Sequence, residues 1–417
     1  MATEMPESMP RPPHISDATL RDAAHMAGVE FRPKDAAAIA DLLVRTGVER
    51  VEVGMVSGPD SKDAGLVLAT HEAVGPERSM TLVVVRDRRQ VTRALDEAAR
   101  LGVRNIMCSI PTSERHAALK LGSTSLAFLQ VLARSAVAQA KDRGFHVTFS
   151  GEDGARTPTE RLVPYVTAGF RAGADRFRLA ETVACLSPWR MAELAARLAA
   201  IDHRASDHRG SNHRGNDHRA IDRPGNDRRG SDHPGSDHRE IEVHSHNMLG
   251  MAVANSLAAA RAGARWISTT VAGIGERGGN TPLAELLTAL RVLYADTRFD
   301  LTHLTELSRL ALRGSGLGDA FQPGPATRHA FAYELAGQLS HPEAYETVPA
   351  ELLGNERTLR VRSRLTPTLV GWALAGSGIE VDVEAFTTWL GEQQERDGNP
   401  ALDRDAIRTA AAAYSSA

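Results

Sequence analysis

The sequence predicts a closed parallel (β/α)8 TIM barrel followed by a mainly helical C-terminal accessory region. Eight short apolar runs alternate with helix-length segments, and eight such units favour a closed barrel over an open, doubly wound sheet. Residues able to do chemistry fall at or just past the ends of these runs, on the face where barrels of this kind build their sites. A chain of 417 residues with 42% hydrophobic content is also long enough to bury a large core.

The runs follow in order. His14-Ile15-Ser16 opens the series, then come Val51-Glu52-Val53, 82–85, 105–110 and Val147-Thr148-Phe149. Phe177-Arg178-Leu179, Ile241-Glu242-Val243 and 266–271 complete it. Asp22, Glu52, Arg86, Ser109, Glu152, Thr182 and His246 are expected at the strand ends that form the mouth. The resulting organisation is a flexible, proline-rich tail over 1–13, a barrel over 14–292 and an accessory region over 293–417. In the last, the stretch 374–390 with Trp372 and Trp389 has mixed helical character. A pentapeptide repeat of aspartate, histidine, arginine, glycine and serine interrupts the barrel over 202–239. It cannot build an apolar face, so it is expected to be a disordered loop, and its histidines at 203, 208, 213, 218, 233 and 238 read as a tolerated surface expansion.

Composition narrows the partners. A net charge of −3 gives no basic field for nucleic acid and points to a small molecule. The two cysteines, Cys108 and Cys185, are isolated, which argues against a disulfide framework and for a reducing cytoplasm. The start lacks the apolar core of a signal peptide, and no run of about 18 apolar residues offers a membrane span.

The strongest chemical signal joins two distant stretches, Ser16-Asp17-Ala18-Thr19-Leu20-Arg21-Asp22 and His244-Ser245-His246-Asn247. In a strand, residues two apart share a face, so His244 and His246 can chelate one ion. Asp22 adds a carboxylate and Arg21 a guanidinium. Two imidazoles and a carboxylate suit zinc, manganese or magnesium and leave positions open for a bidentate ligand. Glu52 stands among apolar residues, where a charge needs a metal, a water or a cation, and orienting Arg21 is the preferred role. Arg86 is suited to the distal anion of a substrate.

These passages resemble the metal-dependent condensing enzymes of the homocitrate synthase and 2-isopropylmalate synthase family, the nitrogen-fixation type of homocitrate synthase most of all. Asp17 to Asp22 is similar to DTTLRD, Val51-Glu52-Val53-Gly54 to EVG, and Ser150-Gly151-Glu152-Asp153 to the strand-five ED motif. Arg176 to Thr182 is similar to FRFADT, His244-Ser245-His246-Asn247 to HAHN, and Gly273 to Asn280 to GLGERAGN. The resemblance covers roughly residues 14 to 292. It implies an acyltransferase that condenses acetyl-CoA with an anionic 2-oxo acid and releases CoA. It further implies metal ligation by Asp22, His244 and His246 with Asn280 as a fourth ligand, catalysis by Arg21 and Glu52, and substrate binding by Arg21, Arg86, Ser150, Glu152 and Thr182. Relatives are commonly homodimers whose accessory region reaches the partner's barrel.

Departures leave other readings open. After Asp22 the family has GEQ, whereas this chain has Ala23-Ala24-His25, and HND becomes His246-Asn247-Met248. The FTHESGIHVDG segment, whose histidine moves protons, is shortened to Phe331-Ala332-Tyr333-Glu334-Leu335-Ala336-Gly337-Gln338, and GKHSG becomes Arg362-Ser363-Arg364-Leu365-Thr366. Tyr333, Glu334, His341 and His25 are candidate replacements. The alternatives are a retro-Claisen 3-hydroxy-3-methylglutaryl-CoA lyase, disfavoured because Gly273 to Asn280 lacks that enzyme's cysteine, and a non-catalytic barrel that binds metal and a 2-oxo acid. Substrates in play are 2-oxoglutarate, phosphonopyruvate and oxaloacetate.

Overall fold

The computed structural model describes residues 9, 11–201, 239–318, 320–362 and 364–415. The expected disorder of the repeat, up to residue 238, and of most of the tail concerns segments outside these residues. Eight parallel strands close into one barrel in sequence order: β1 His14–Leu20, β2 Arg50–Val56, β3 Ser79–Val84, β4 Asn105–Pro111, β5 His146–Glu152, β6 Arg176–Glu181, β7 Glu240–Ser245 and β8 Trp266–Thr269. Closure comes from β1 pairing with β8, Ile15 opposite Ile267 and Asp17 opposite Thr269. All eight predicted strands are present, most of them longer at one or both ends than the apolar runs that announced them.

Helices α1 Pro33–Thr46, α2 Ala64–Val74, α3 Arg88–Arg100, α4 Glu114–Leu121, α5 Leu126–Asp142 and α6 Thr159–Arg171 surround the sheet, followed by α7 Pro188–Ala199, α8 Ala252–Arg261 and α9 Leu283–Tyr294. Helix α10, Leu304–Ser315, contributes Leu307, Ala311 and Leu312 to the barrel's own hydrophobic core. The boundary expected at 292 therefore falls inside α9, and barrel packing continues through α10. No single described helix is long and apolar enough to cross a membrane.

Alternation along β5 sorts its side chains. Phe149 points outward, fully buried, with ring centroids 5.8, 5.5 and 5.0 Å from those of Tyr165, Phe170 and Phe177. Its alternating neighbours Thr148, Ser150 and Glu152 consequently face the barrel axis.

The axis itself is charged. Barrel interiors are usually layers of branched aliphatic residues, but here Glu52, Arg176, Arg178 and Glu242 are each at most 1% exposed. Arg178 donates to Glu52 Oε2 at 2.8 Å and to Glu242 Oε1 at 2.7 Å, and also contacts Glu52 Oε1. Below it Arg176 lies 3.4 Å from both Glu242 Oε2 and Glu240 Oε2, with its guanidinium 3.4 Å over the Trp266 ring. Sequence reading put Glu52 at the end of its strand. It is instead the third residue of β2, which continues through Gly54 to Val56. Gly54 has φ +57°, the pairing with β3 shifts register between Glu52 and Met55, and a Cβ at Gly54 would lie 2.7 Å from Asp63 Cβ. That irregularity keeps Glu52 inside the barrel, beneath the mouth.

Beyond α10 lie α11 Ala336–Ser340, α12 Pro342–Tyr345, α13 Pro367–Leu374, α14 Val383–Arg396 and α15 Arg404–Ser415, with a two-stranded sheet of β9 Ala332–Tyr333 and β10 Thr358–Leu359. Their apolar core, including Phe331, Tyr333, Val361, Leu369 and Phe386, also takes in Ala184 and Met248 from the barrel rim. The region caps the mouth of its own barrel: Gln338 donates to Glu276 at 2.6 Å, Arg156 to the Ala344 carbonyl at 2.6 Å and Arg364 to Asp63 at 3.0 Å.

Truncating Phe149 to alanine should cost about 3–5 kcal/mol, because the four-ring cluster between β5, β6 and α6 cannot collapse onto the void. Urea unfolding monitored by circular dichroism tests this; a loss below about 1 kcal/mol would mean that the cluster does not carry the sheet–helix packing.

Candidate metal centre and active site

Asp22 lies two residues past the end of β1, His244 near the end of β7 and His246 just beyond it, so the two mouth segments meet across the barrel. One ligand atom from each of the three lies within 4.8 Å of the others. Asp22 Oδ1 is 3.9 Å from His244 Nε2, and Asp22 Oδ2 is 3.9 Å from His246 Nε2. All three residues are at most 5% exposed.

The hydrogen bonds around the rings select their tautomers. Asn280 Nδ2 donates to His244 Nε2 at 3.3 Å, leaving Nδ1–H for Ser268 Oγ at 3.0 Å. Arg277 Nη2 donates to His246 Nε2 at 2.9 Å, leaving Nδ1–H for the Glu276 carbonyl at 3.3 Å. Both Nε2 atoms are thus unprotonated and lie 3.9 Å from Asp22, with the other nitrogen anchored behind, the arrangement expected of metal-ligating histidines. Protonation follows the same logic. Burial pushes His244 down to about 4, and burial followed by Arg277 holds His246 well below its usual value. Burial opposes ionisation of Asp22, but the positive charge beside it, Arg21 foremost, reverses this and holds the carboxyl well below the usual range. One carboxylate and two neutral imidazoles form the deprotonated donor set that a divalent cation needs. Asp22 Oδ2 and Asn280 Oδ1 are buried without a hydrogen-bond partner, a costly state that an ion relieves. The residues fit a metal.

Asn280 owes its position to the glycines of 273–280. A Cβ at Gly275 would lie 1.6 Å from Asn280 Oδ1, and one at Gly279, where φ is +93°, 2.2 Å from the Gly273 carbonyl. Arg21 completes the centre: Nη1 donates to Asp22 Oδ1 at 2.5 Å, while Nε and Nη2 reach Glu52 Oε2 at 3.0 and 2.9 Å.

The remaining expected residues are spread more widely. Thr182 lies at the mouth, where its hydroxyl accepts the Asp153 N–H at 2.9 Å and its carbonyl accepts from Arg277 at 3.1 Å. Ser150 is buried on β5, and Tyr165 donates to its carbonyl at 3.1 Å. Glu152 is already paired, with Lys120 at 2.5 Å and His116 at 2.8 Å; burial opposes its ionisation, and the Lys120 charge together with the hydrogen bond to His116 keeps it ionised. Arg86 is exposed, two residues beyond β3, apart from the buried cluster. Arg277, His116 and Lys120 were not singled out from the sequence. Only Arg277 carried a signal, its place between the matched glycines and Asn280.

Of the proton-transfer candidates, His341 is exposed and Tyr333 donates to Glu346 at 3.0 Å. Glu334 is 3% exposed, its Oε1 3.4 Å from Arg364 and its Oε2 without a partner. Burial, opposed by Arg364 and reinforced by Glu276, pushes it up to about 8. His25, on the turn after Asp22, is held down to about 3 by burial and then by Arg364, and its Nε2 is also unpartnered.

A parallel eight-stranded barrel with a carboxylate and two imidazoles at its C-terminal mouth defines a class of metal-site barrels. Within that class the chain belongs to the HMGL-like family, which matches residues 12–217 and 232–311. It is 32% identical to a 2-phosphonomethylmalate synthase of Streptomyces rubellomurinus, covering 88% of each chain. It is 33% identical to homocitrate synthase AksA of Methanopyrus kandleri over 89% of this chain and 84% of the relative. With 2-isopropylmalate synthase 2 of Caldanaerobacter subterraneus it shares 30% over 84% and 81%. Among solved structures, the HMG-CoA lyase of Brucella melitensis superposes with a TM-score of 0.56 at 17% identity, covering 73% of this chain and 99% of the lyase, a likeness of fold.

Replacing Gly275 by alanine should displace Asn280 and weaken Mn2+ binding about 10–100-fold with little change in Tm. Calorimetric titration of Mn2+ decides it: an unchanged affinity would remove Asn280 from the ligand set.

Proposed function

We propose that this chain is a metal-dependent acyltransferase that condenses acetyl-CoA with an anionic 2-oxo acid and releases CoA. The observation that carries the reading is the buried contact between Arg21 and a ligand set of Asp22, His244 and His246 in its deprotonated form. The synthases that match nearly the full chain support condensation over cleavage. So does the absence of cysteine from Gly273 to Asn280; Cys108 is buried in β4 and Cys185 lies just past β6.

A divalent ion held by Asp22, His244 and His246, with Asn280 alongside, would polarise the carbonyl of the 2-oxo acid as a Lewis acid. Arg21 is already directed by Glu52 and stabilises the negative charge that gathers on the former ketone oxygen as the new bond forms. Thr182 binds the substrate's carboxylate, Ser150 lines the same interior, and Arg86 at the rim meets a second anionic group. Glu152, saturated by Lys120 and His116, shapes that wall of the mouth. We assign proton abstraction to Glu334 on the capping segment. The methyl C–H bond of acetyl-CoA breaks, its proton passes to Oε2, and its electron pair forms the C–C bond to the ketone carbon. The resulting alkoxide takes up a proton, and water hydrolyses the thioester to a carboxylate and free CoA thiol. A carboxyl that titrates near 8 is well matched to this task at neutral pH.

Thiol release from acetyl-CoA by Mn2+-loaded protein should occur with one of phosphonopyruvate, 2-oxoglutarate or oxaloacetate, exceed that with pyruvate or 2-oxoisovalerate, and stop with EDTA. Silence across the panel with metal binding intact would turn the reading to a non-catalytic barrel. Glu334→Gln should lower kcat about 10²–10⁴-fold. Wild-type kcat/KM should rise with pH up to about 8, where the carboxyl ionises. Stability carries the opposite sign. Because the folded value, about 8, lies above the ordinary 4.5, wild-type stability is full below 4.5 and falls as pH rises through 8, by a few kcal/mol in order of magnitude. The glutamine variant should lack that slope in urea unfolding; the same slope in both proteins would refute the assignment.

A further inference from the structure

The charged ladder inside the barrel is poorly explained by stability. A buried ion pair rarely outperforms well-packed aliphatic residues of the same volume, since two desolvation penalties stand against one attraction. The aliphatic layers usual in such barrels would fill the same space. Yet Arg178 and Glu242 are fully enclosed, share a 2.7 Å bond, and lie a full layer beneath the mouth. Their contacts lead in one direction. Arg178 engages both oxygens of Glu52, and Oε2 is shared with Arg21 Nε and Nη2. Ser16 Oγ adds a 2.9 Å bond to Oε1. Arg21, held along that edge, presents Nη1 to Asp22.

Glu52 alone could not fix Arg21. A carboxylate rotates about its terminal torsion, which is broad and roughly two-fold. With Arg178 bound to both oxygens, and Arg178 itself pinned by Glu242, that rotation is blocked. Burial also pushes toward the neutral acid; Arg178, followed by Arg21, reverses this and holds Glu52 ionised far below the usual carboxylate range.

We propose that Arg178 is a positioning residue that acts on Arg21 through Glu52, setting the guanidinium where negative charge develops during condensation, with Glu242 as the clamp on Arg178. This rests on the condensing-enzyme reading. Arg178 touches neither the candidate metal ligands nor the reacting atoms. Its influence should therefore appear in kcat, disappear when Arg21 is absent, and leave the metal site unchanged.

The test is a double-mutant cycle on the full-length, Mn2+-loaded protein. Arg178→Met should reduce kcat about 10²-fold, with KM for the 2-oxo acid and the Mn2+ affinity each changing less than about threefold. In an Arg21→Ala background the same substitution should change kcat less than about threefold. Arg178→Lys keeps the charge but cannot bridge both carboxylates, so it should recover only part of kcat; it replaces Arg178→Met throughout the cycle if that variant does not fold. Equal losses in the two Arg21 backgrounds, or loss of Mn2+ binding together with Tm, would overturn the proposal and leave Arg178 a structural residue. A wild type that releases no thiol would remove the condensing reading. The cycle is then read on the thermal shift that oxaloacetate gives the Mn2+-loaded protein, where non-additivity supports the positioning role; additivity, or no shift in wild type, ends it.

Discussion

Neutralisation of buried charge is the constraint on which this structure turns. Taking an ion out of water costs several kcal/mol unless a counter-ion and hydrogen bonds meet it at good geometry. The barrel satisfies that condition by alternation: Arg176, Glu242, Arg178, Glu52, Arg21 and Asp22 each contact a neighbour of opposite sign. Such a stack is stiff. Moving any member leaves its neighbours unpaired, so strand registers and the rotamer of Arg21 are set together. The two histidines stand at the end of this stack, where burial and neighbouring guanidinium groups keep them neutral. The charges beneath the mouth thus hold Arg21 beside Asp22, while Asp22, His244 and His246 themselves form the seat for a cation.

The parts legible in the sequence share a property: their signals are local. A β-strand buried on both faces is a short apolar run, and a glycine-rich turn is a cluster of glycines. That is why all eight strands, the meeting of Asp22 with His244 and His246, and the approach of Asn280 follow from pattern and motif. What failed depended on geometry that no local pattern records. Glu52 looked like a strand-end residue because the apolar run stops near it, whereas the left-handed Gly54 carries β2 further and leaves the carboxylate a layer down. Glu152, expected at the mouth as a substrate-binding residue, is engaged by Lys120 and His116, partners that no local pattern announces. Arg178 was visible as a charge inside an apolar strand, a pattern that itself demands a buried partner. Its partners sit on β2 and β7, more than sixty positions away in either direction.

The accessory region is where departures from the family resemblance and the physics meet. Its core is continuous with Ala184 and Met248 on the rim, so the cap is a packed extension of the mouth, while Gln338, Arg364 and the Ala344 carbonyl add polar contacts around the circumference. Met248 stands where the resemblance expects an aspartate, and here it belongs to that shared apolar core. A carboxylate at this position would be desolvated by the cap. The loss of the aspartate and the close docking of the cap are therefore physically consistent changes.

The same docking accounts for the unusual state of Glu334. Enclosed by the cap and barrel loops, its carboxyl has one guanidinium 3.4 Å away and a second carboxylate, Glu276, acting against it. One cation at that distance does not offset burial plus like charge, so the proton is retained until the pH approaches 8. Glu52, a carboxylate equally deprived of water, has two guanidinium groups in direct contact and is ionised. Two glutamates in one chain, both buried, are thereby driven to opposite protonation states by the number and closeness of arginines. One acts as a fixed anion that holds Arg21, and the other becomes a group able to exchange a proton near neutrality.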